Sequence, residues 1–230
     1  MATKKVSEAP LKVEVPAMEM KVFPLRIVGD SPLIVSAWSH KAKQMILQKQ
    51  MKKASTGREI RRPHVDFAES LYWLTEKPNL DDLTDEQAKE VLDEIIPKSK
   101  FGFPCVAFKA AALDAGFQQG ALVRNAGTND LAKTTARGAF HIVNEGEFAV
   151  IDGTPTMRED MVRIGGASKT ADICFRAEFK KWSTELLIQF NTRVISMAQI
   201  INLFKLGGFS NGAGEWRPSR GGNFGRFHVE

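Results

Sequence analysis

The chain has 230 residues, 43% of them hydrophobic, and a formal net charge of +5 at pH 7. This share of apolar residues is enough for a packed core, which excludes an intrinsically disordered chain. No stretch reaches the roughly 18–20 apolar residues of a membrane-spanning helix, and no apolar run follows the N-terminal lysines as a signal peptide requires. The two cysteines, Cys105 and Cys174, are too few for a disulfide scaffold or a zinc site. We therefore expect a cytoplasmic protein that uses no membrane, no metal and no other cofactor.

The N-terminal half of the chain has signals for two strands and two helices. Residues 1–17 are polar and interrupted by prolines, which predicts a flexible tail. Met20–Val35 is apolar around a Gly-Asp pair, which predicts a strand, a turn and a short second strand. Apolar residues at helical spacing predict a helix within Ser39–Lys53. The capping-box pattern Thr84–Gln87 predicts another helix over Asp85–Ile96.

The C-terminal half alternates between strands and helices. The segment from Phe101 predicts a loop and then an alanine-rich helix from Pro104 onward. Phe140–Val143 and Glu147–Ile151 are predicted strands around a hairpin-like turn, and Gly153–Thr170 predicts a projecting loop or ribbon. The remaining predicted elements are two strands, a helix that ends at Gly207-Gly208 and a closing strand: Asp172–Lys181, Glu185–Phe190, Met197–Leu206 and Phe224–Val229.

The order of these elements indicates an α+β fold. The C-terminal part runs strand, strand, helix, glycine-rich loop, strand, and an earlier strand–helix unit precedes it. Together they give the βαββαβ pattern of a ferredoxin-like (RRM-like) core. We expect this core to carry a basic helical insertion and a C-terminal glycine-rich loop.

Charge is unevenly distributed along the chain. Lys41–Arg62 holds eight Lys and Arg residues against one acid, a net charge of +7. Glu76–Glu94 holds eight acids and two lysines, a net charge of −6. The basic cluster favours a polyanionic partner, and a solvated basic helix is the alternative interpretation. The opposed segments also predict head-to-tail contacts between neighbouring copies, which build filaments.

The segment Gly207–Gly225 contains seven glycines, with Trp216, Arg217 and Arg220 among them. Glycine lets a backbone approach a phosphate closely, and successive free N–H groups form anion-binding nests. Arginine adds a bidentate fork for phosphate, and the rings of Trp216 and Phe224 offer stacking faces for bases. No Walker or dinucleotide-binding motif is present, because the loop follows a helix and precedes a strand. The pattern favours an extended polyanion, with a tight structural connection over the sheet as the alternative.

The predicted contacts with single-stranded nucleic acid combine this loop with basic residues elsewhere in the chain. No catalytic and no metal-binding residue is predicted. The candidate nucleic-acid-binding residues are Lys41, Lys43, Lys52, Lys53, Arg58, Arg61, Arg62, Lys109, Arg124, Lys133, Arg137, Lys169, Trp216, Arg217, Arg220 and Arg226.

The segment Asn211–Phe227, with the strand and helix before it, resembles the RAMP superfamily of CRISPR systems. Within that superfamily it is similar to the backbone subunits that bind guide RNA in Cascade-type complexes. A bacteriophage relative of the same domain is an equal alternative. The resemblance implies one RAMP-like domain over 18–230, with insertions at about 39–100 and 152–170. It also implies repeated copies, a homo-oligomer or filament, along one strand.

Two other functions stay open at this point. A RAMP-type endoribonuclease that needs no metal would use a histidine as general base, and His228 is nearest in sequence to the glycine-rich loop. A phage structural or assembly protein would bind no nucleic acid. We expect binding rather than catalysis because no recognised catalytic motif is present. The choice between RNA and DNA stays open, because phosphate contacts do not register the sugar.

Overall fold

The structure of the protein is a computed structural model, which describes residues 17–38, 40–51, 61–122, 132–164 and 170–230. Residues 1–16 of the flexible tail predicted over 1–17 lie outside these ranges. Within them the chain is a mixed α/β structure with three antiparallel sheets. The predicted combination of helices with antiparallel strands is therefore confirmed.

The bounds of the elements are as follows. The strands are β1 (Met20–Gly29), β2 (Leu33–Val35), β3 (Tyr72–Trp73), β4 (Phe101–Pro104), β5 (Phe140–Ile142), β6 (Phe148–Ile151), β7 (Pro155–Ile164), β8 (Thr170–Phe179), β9 (Ser183–Asn191) and β10 (Phe227–Val229). The helices are α1 (His40–Gln50), α2 (Pro63–Glu69), α3 (Asp85–Ile95), α4 (Cys105–Gln118), α5 (Lys133–Ala139) and α6 (Met197–Leu206).

The largest sheet has the strand order β10-β1-β9-β5, and all its neighbours are antiparallel. Along β9 the residues alternate between buried and exposed: Leu186 and Ile188 are fully buried, whereas Glu185 and Leu187 face solvent. This alternation is what a strand with one covered face requires. Helices α4 and α6 contact each other, and they also contact β5 and β10 respectively. The main core therefore lies between this sheet and these two helices.

Two smaller sheets complete the described structure. One has the order β2-β8-β7 and the other has the order β3-β4-β6. Strands β7 and β8 pair over ten residues each, from Pro155↔Phe179 to Ile164↔Thr170. Strand β2 pairs with β8 only near Phe179, over the three residues Leu33–Val35. The predicted ribbon after Gly153 is thus confirmed as a long two-stranded hairpin.

Local sequence signals correctly predicted where helices α3 and α6 begin. The amide of Gln87 donates to Thr84 Oγ1 at 3.3 Å, and the Thr84 amide donates to Gln87 Oε1 at 2.9 Å. The same reciprocal pair forms between Ser196 and Gln199, at 3.2 and 2.8 Å. The capping box predicted at Thr84 is therefore present, a second one forms at Ser196, and each satisfies two backbone donors at a helix start.

The predicted hairpin between Phe140–Val143 and Glu147–Ile151 is wrong. Strand β5 pairs with β9, whereas β6 pairs with β4 in another sheet. Asn144 explains the difference, because its side chain accepts from the Leu187 amide at 2.9 Å and donates to the Glu185 carbonyl at 2.8 Å. These bonds keep the chain alongside β9 after β5 ends, so it does not turn back on itself.

Two further predictions need correction near the helices of the main core. Phe101–Pro104 is a buried strand, β4, and not a loop. Helix α6 does not end with a left-handed glycine, because Gly207 keeps helical angles and the chain continues as a wider π-turn over Gly207–Asn211. A Cβ on Gly207 would lie 2.8 Å from Ala112 Cα, so glycine serves close helix packing there.

No helix in the described ranges is long and apolar enough to cross a membrane.

Candidate nucleic-acid interface

The glycine-rich loop, Gly207–Gly225, is an ordered platform whose backbone is hydrogen-bonded to β2 and to the residue before it. The amides of Glu215 and Gly225 donate to the carbonyls of Ile34 and Pro32, at 2.9 and 2.8 Å. Several other amides of the loop donate to carbonyls of the loop itself. These N–H groups are already paired, so they do not form the predicted nest of free donors for a phosphate.

Two glycines of the loop are required by close backbone contacts. Gly225 has φ +64°, and a Cβ there would lie 1.7 Å from the Ala213 carbonyl oxygen. Gly214 has φ +77°, and a Cβ there would lie 2.4 Å from the Ile34 carbonyl oxygen. Any side chain would be strained at such angles and would collide with backbone. These glycines therefore build the platform, and ligand contacts fall to its side chains.

The platform exposes an indole ring and a guanidinium group. Trp216 is 44% exposed, and the Arg220 guanidinium is exposed without a hydrogen-bond or ion-pair partner among the described residues. Arg217 is held in place, because its Nη1 donates to the Gly214 carbonyl at 2.8 Å and its Nε donates to Ser219 Oγ at 3.1 Å. The loop thus holds one fixed arginine and leaves another arginine and a tryptophan available.

Trp216 has φ +52°, in the left-handed region. A non-glycine residue there costs about 1–2 kcal/mol and persists where neighbouring contacts dictate it. The contact is a hydrogen bond from the Phe224 amide to the Trp216 carbonyl at 3.1 Å. The strained backbone turns the loop at the place where the ring is exposed.

Arg226 joins the end of the loop to the turn between β1 and β2. Its amide donates to Ser31 Oγ at 2.9 Å, and its carbonyl accepts from the Asp30 amide at 2.8 Å. Its Nε is buried and has no acceptor among the described residues. Arg226 therefore belongs to the base of the loop, whereas Arg220 belongs to its surface.

A cleft of about 370 Å³ lies beside this platform, between the loop, α4, β2 and β3. Its charged and aromatic lining residues are Tyr72, Phe103, Asp114, Glu215, Arg217 and Arg220. Lys133 reaches the same place, because its Nζ lies 2.6 Å from Asp114 Oδ1. Two predicted loop arginines and one predicted lysine are thereby brought together around one cleft.

The other basic residues of this region are engaged where α4 meets α5. The Lys109 ammonium group donates to the Arg137 carbonyl at 2.7 Å and lies 5.1 Å from the centre of the Phe140 ring. Burial lowers the pKa of Lys109 below its ordinary value of 10.5. The Arg137 residue itself is exposed. Lys109 therefore stabilises the contact between α4 and α5, and of these two basic residues Arg137 is the one accessible to a ligand.

Arg61 and Arg62 lie apart from the loop and have partners inside the protein. Arg62 Nη1 donates to the carbonyls of Leu80, Asp81 and Leu83, at 3.0, 2.8 and 2.9 Å. Arg61 is paired with Asp66 at 3.2 Å and with Asp172 at 2.5 Å. These two arginines tie the start of α2 to other segments, so a phosphate would compete with contacts already made.

The rest of the predicted basic segment is described only in part. Lys43 is exposed on α1. Lys41 belongs to the same helix, and the description there covers its backbone only. The candidates that lie outside the described residues are Lys52, Lys53, Arg58, Arg124 and Lys169.

The root of the β7–β8 hairpin touches the glycine-rich loop through an ionic cluster. The Arg158 guanidinium lies 4.6 Å from the centre of the Phe224 ring, so one face of that ring is covered and is not open to a base. Arg158 also contacts Asp160 and Glu178, both at 2.8 Å. One of the two predicted stacking faces of Phe224 is therefore a packing contact between the loop and the hairpin.

No group of three or more metal-ligating side chains occurs among the residues that the structure describes. Cys105 and Cys174 are free thiols. His228 lies on β10, and its Nδ1 is 2.6 Å from Asp30 Oδ1. Neither His228 nor Asp30 lines the cleft.

Sequence reasoning missed Tyr72 and Glu215, which line the cleft. The available signals were slight: Tyr72 is the one tyrosine of the chain, and Glu215 is the one acid within Gly207–Gly225. Neither position is unusual until the loop is folded against β2, because only then do residues 72 and 215 share a wall.

Comparisons with known proteins yielded little. No protein-family model matches the chain, and no curated protein matches it. Among solved structures, the crystal structure of Cmr6 from Pyrococcus furiosus is similar with a TM-score of 0.34 and 13% sequence identity, over 93% of this chain and 100% of that one. A likeness of this degree supports no conclusion about fold or function.

Proposed function

We propose that the chain binds single-stranded nucleic acid along the phosphate backbone and performs no chemistry of its own. One observation carries this proposal: a fixed loop presents the Arg220 guanidinium, which has no partner among the described residues, together with the exposed ring of Trp216. A guanidinium and an indole on one platform match the alternating phosphates and bases of an unpaired strand. Lys133, which is paired with the cleft residue Asp114, lies beside the adjoining cleft.

The finer proposal for the fold is a ferredoxin-like core of the RAMP type. The elements β1, α4, β5, β9, α6 and β10 form the series strand, helix, strand, strand, helix, strand. In their sheet the first strand lies between the last and the third, and all neighbours are antiparallel. This order supports a βαββαβ core. Apart from α5, which lies between α4 and β5, the other described elements fall between β1 and α4 and between β5 and β9, near the insertions predicted at about 39–100 and 152–170.

We also propose that copies assemble along one strand as a homo-oligomer or filament. Helix α3 exposes an acidic surface, with Glu86, Glu90 and Asp93 facing solvent, whereas Lys43 is exposed on α1. Opposite charges on separate surfaces favour heterologous contacts, which propagate without closing. The proposal covers RNA and DNA equally, and it covers a CRISPR-type complex and a phage protein equally.

Binding is tested by fluorescence anisotropy with labelled single-stranded RNA and DNA over a range of salt. We expect steep salt dependence, because cations displace counterions from phosphates. Arg220→Ala should weaken binding about tenfold, because it removes a charge-assisted hydrogen bond, and should reduce the salt slope by about one contact. Lys180→Ala is the matched control, since it removes one exposed charge between β8 and β9, away from the loop and from α3. Equal effects of the two changes, or affinity independent of salt, would contradict the proposal.

Trp216 is tested separately, because its role is stacking and not charge. Asparagine tolerates the left-handed region, so Trp216→Asn should keep the melting temperature. It should cost about 1–3 kcal/mol of binding free energy if one base stacks on the ring. Unchanged affinity together with an unchanged melting temperature would remove stacking from the interface.

Assembly is measured by light scattering with oligonucleotides of increasing length. A repeated subunit should give a mass that grows with the strand, by one protomer per several nucleotides. A complex that keeps one protomer on every strand would refute assembly and leave a monomeric binding domain. A purified protein that binds no strand under any salt condition would instead indicate a structural or assembly role.

A metal-independent endoribonuclease is the second candidate, and one contact favours it. Asp30 orients the His228 ring through Nδ1, which leaves Nε2 without a partner among the described residues. An oriented, exposed imidazole has the form of a general base. RNA cleavage in the presence of a chelator, lost in His228→Ala, would establish this activity. Intact RNA after long incubation would exclude it.

A further inference from the structure

The cleft beside the glycine-rich loop contains a carboxylate with no counterion. Glu215 lines this cleft, and it has no hydrogen bond or ion pair from its side chain to any described residue. Its backbone is fixed, because its amide donates to the Ile34 carbonyl at 2.9 Å. Arg217 and Arg220 also line the cleft, yet neither lies within ion-pair distance of Glu215 in the described structure. The backbone of Glu215 is therefore held in place, and its exposed carboxylate is available to a ligand.

Such a carboxylate is unfavourable next to phosphates unless it has a separate role. Repulsion between Glu215 and a phosphate would weaken a site that only contacts the backbone. The other acid of the cleft, Asp114, is neutralised by Lys133 at 2.6 Å. The unpaired acid thus points to a ligand group that donates hydrogen bonds, which in a nucleic acid is the edge of a base.

An aromatic wall stands near this carboxylate. The Tyr72 ring lies 5.9 Å from the Phe103 ring and 5.3 Å from the Phe148 ring, measured between centroids. Burial raises the pKa of the Tyr72 hydroxyl above its ordinary value, and the negative charge of Glu215 raises it further. Both Tyr72 and Glu215 line the cleft. A planar ligand in the cleft would thus have an aromatic side and a hydrogen-bonding end.

From this arrangement we propose that the cleft takes one base from the bound strand and selects guanine through Glu215. The inference rests on the proposed function, and it adds base selection to backbone binding. The volume of about 370 Å³ lies within the range of about 300–1,000 Å³ that is usual for small-ligand sites. Arg220, which lines the cleft and is exposed, would hold the phosphate of the same nucleotide.

Guanine is selected by the pattern of donors on its pairing edge. A carboxylate has two acceptor oxygens and no proton to give. Guanine presents two adjacent donors, N1–H and N2–H₂, and pairs with both oxygens at once. Adenine and cytosine each present a ring nitrogen acceptor beside their amine, and uracil and thymine present carbonyl acceptors beside N3–H. Each of these would place an acceptor against a carboxylate oxygen, which is repulsive.

The experiment compares strands of about 12 nucleotides that are all adenine except for one central residue. That residue is guanine, inosine, which lacks the N2 amine, or adenine. Wild-type protein should bind the guanine strand about tenfold more tightly than the adenine strand, with inosine between them. Glu215→Gln should abolish this preference, because an amide offers one acceptor and one donor. Glu145→Gln, the same change of charge at an exposed residue outside the cleft, is the control and should keep the preference.

The outcomes separate this inference from the proposed function. Salt-dependent binding without a guanine preference, or a preference that survives Glu215→Gln, would overturn guanine selection and leave backbone binding intact. Free GMP is measured in parallel. If GMP binds in a Glu215-dependent way while no strand binds, the cleft is a guanine nucleotide site and the proposed function fails. If neither GMP nor any strand binds, both are refuted.

Discussion

Replacing Gly225 by alanine tests whether the glycine-rich loop is a packed platform or an open cradle. Gly225 has φ +64°, and its new Cβ would lie 1.7 Å from the Ala213 carbonyl oxygen. The angle alone costs about 1–2 kcal/mol. Relief of the collision costs about 1–3 kcal/mol more, the usual cost of overpacking, because backbone cannot rotate away as a side chain can. The sum is about 2–5 kcal/mol of unfolding free energy.

Gly221→Ala is the matched control. Gly221 has φ +79°, and no atom lies within 4 Å of the Cβ position. The control therefore carries the cost of the angle without the collision. At about 2–4 °C per kcal/mol for a chain of this size, Gly225→Ala should melt at least about 2 °C below Gly221→Ala in calorimetry. Equal melting temperatures would show that the space around Gly225 is open, and the packed platform would be refuted.

Three further changes test contacts inside the protein. Ser70→Ala should cost about 1–3 kcal/mol of stability, because the buried Ser70 Oγ accepts from the Ala177 amide at 2.8 Å, and chemical denaturation measures the loss against Ser70→Thr, which keeps the hydroxyl. Arg62→Ala should lower the melting temperature while nucleic-acid affinity stays unchanged, since its guanidinium is bound to backbone carbonyls; a large loss of affinity at constant stability would place Arg62 in the interface. Burial lowers the pKa of Lys109 below 10.5, so at alkaline pH the unfolded chain binds more protons there, and stability relative to Lys109→Met rises with pH toward 10.5. At lower pH the cost of the buried charge is present in full. Melting temperatures of the two proteins that run parallel from pH 8 upward would contradict this.

Much of the secondary structure was predictable because its signals are local. The capping boxes at Thr84 and Ser196 require only residues three positions apart, and the structure forms both. The alternation along β9 requires only that one face of the strand be covered. The sequence alone also identified the glycine-rich loop as a special segment, because seven glycines within Gly207–Gly225 are an unusual local composition.

The pairing of strands and the state of each candidate residue were decided by tertiary structure alone. Strand β5 pairs with β9, and Asn144 just after it binds the backbone of β9 residues some 40 positions away. No local pattern in the sequence contains such a contact. Charge in the sequence does not distinguish Arg62 from Arg220. The Arg62 guanidinium donates to three backbone carbonyls, whereas the Arg220 guanidinium has no partner among the described residues. The proposed base site depends on Glu215, which lines the same cleft as Tyr72 only because the loop is hydrogen-bonded to β2. Local propensity acts over a few residues, whereas a site is made where distant segments meet, and the packing of those segments determines which side chains remain free to bind.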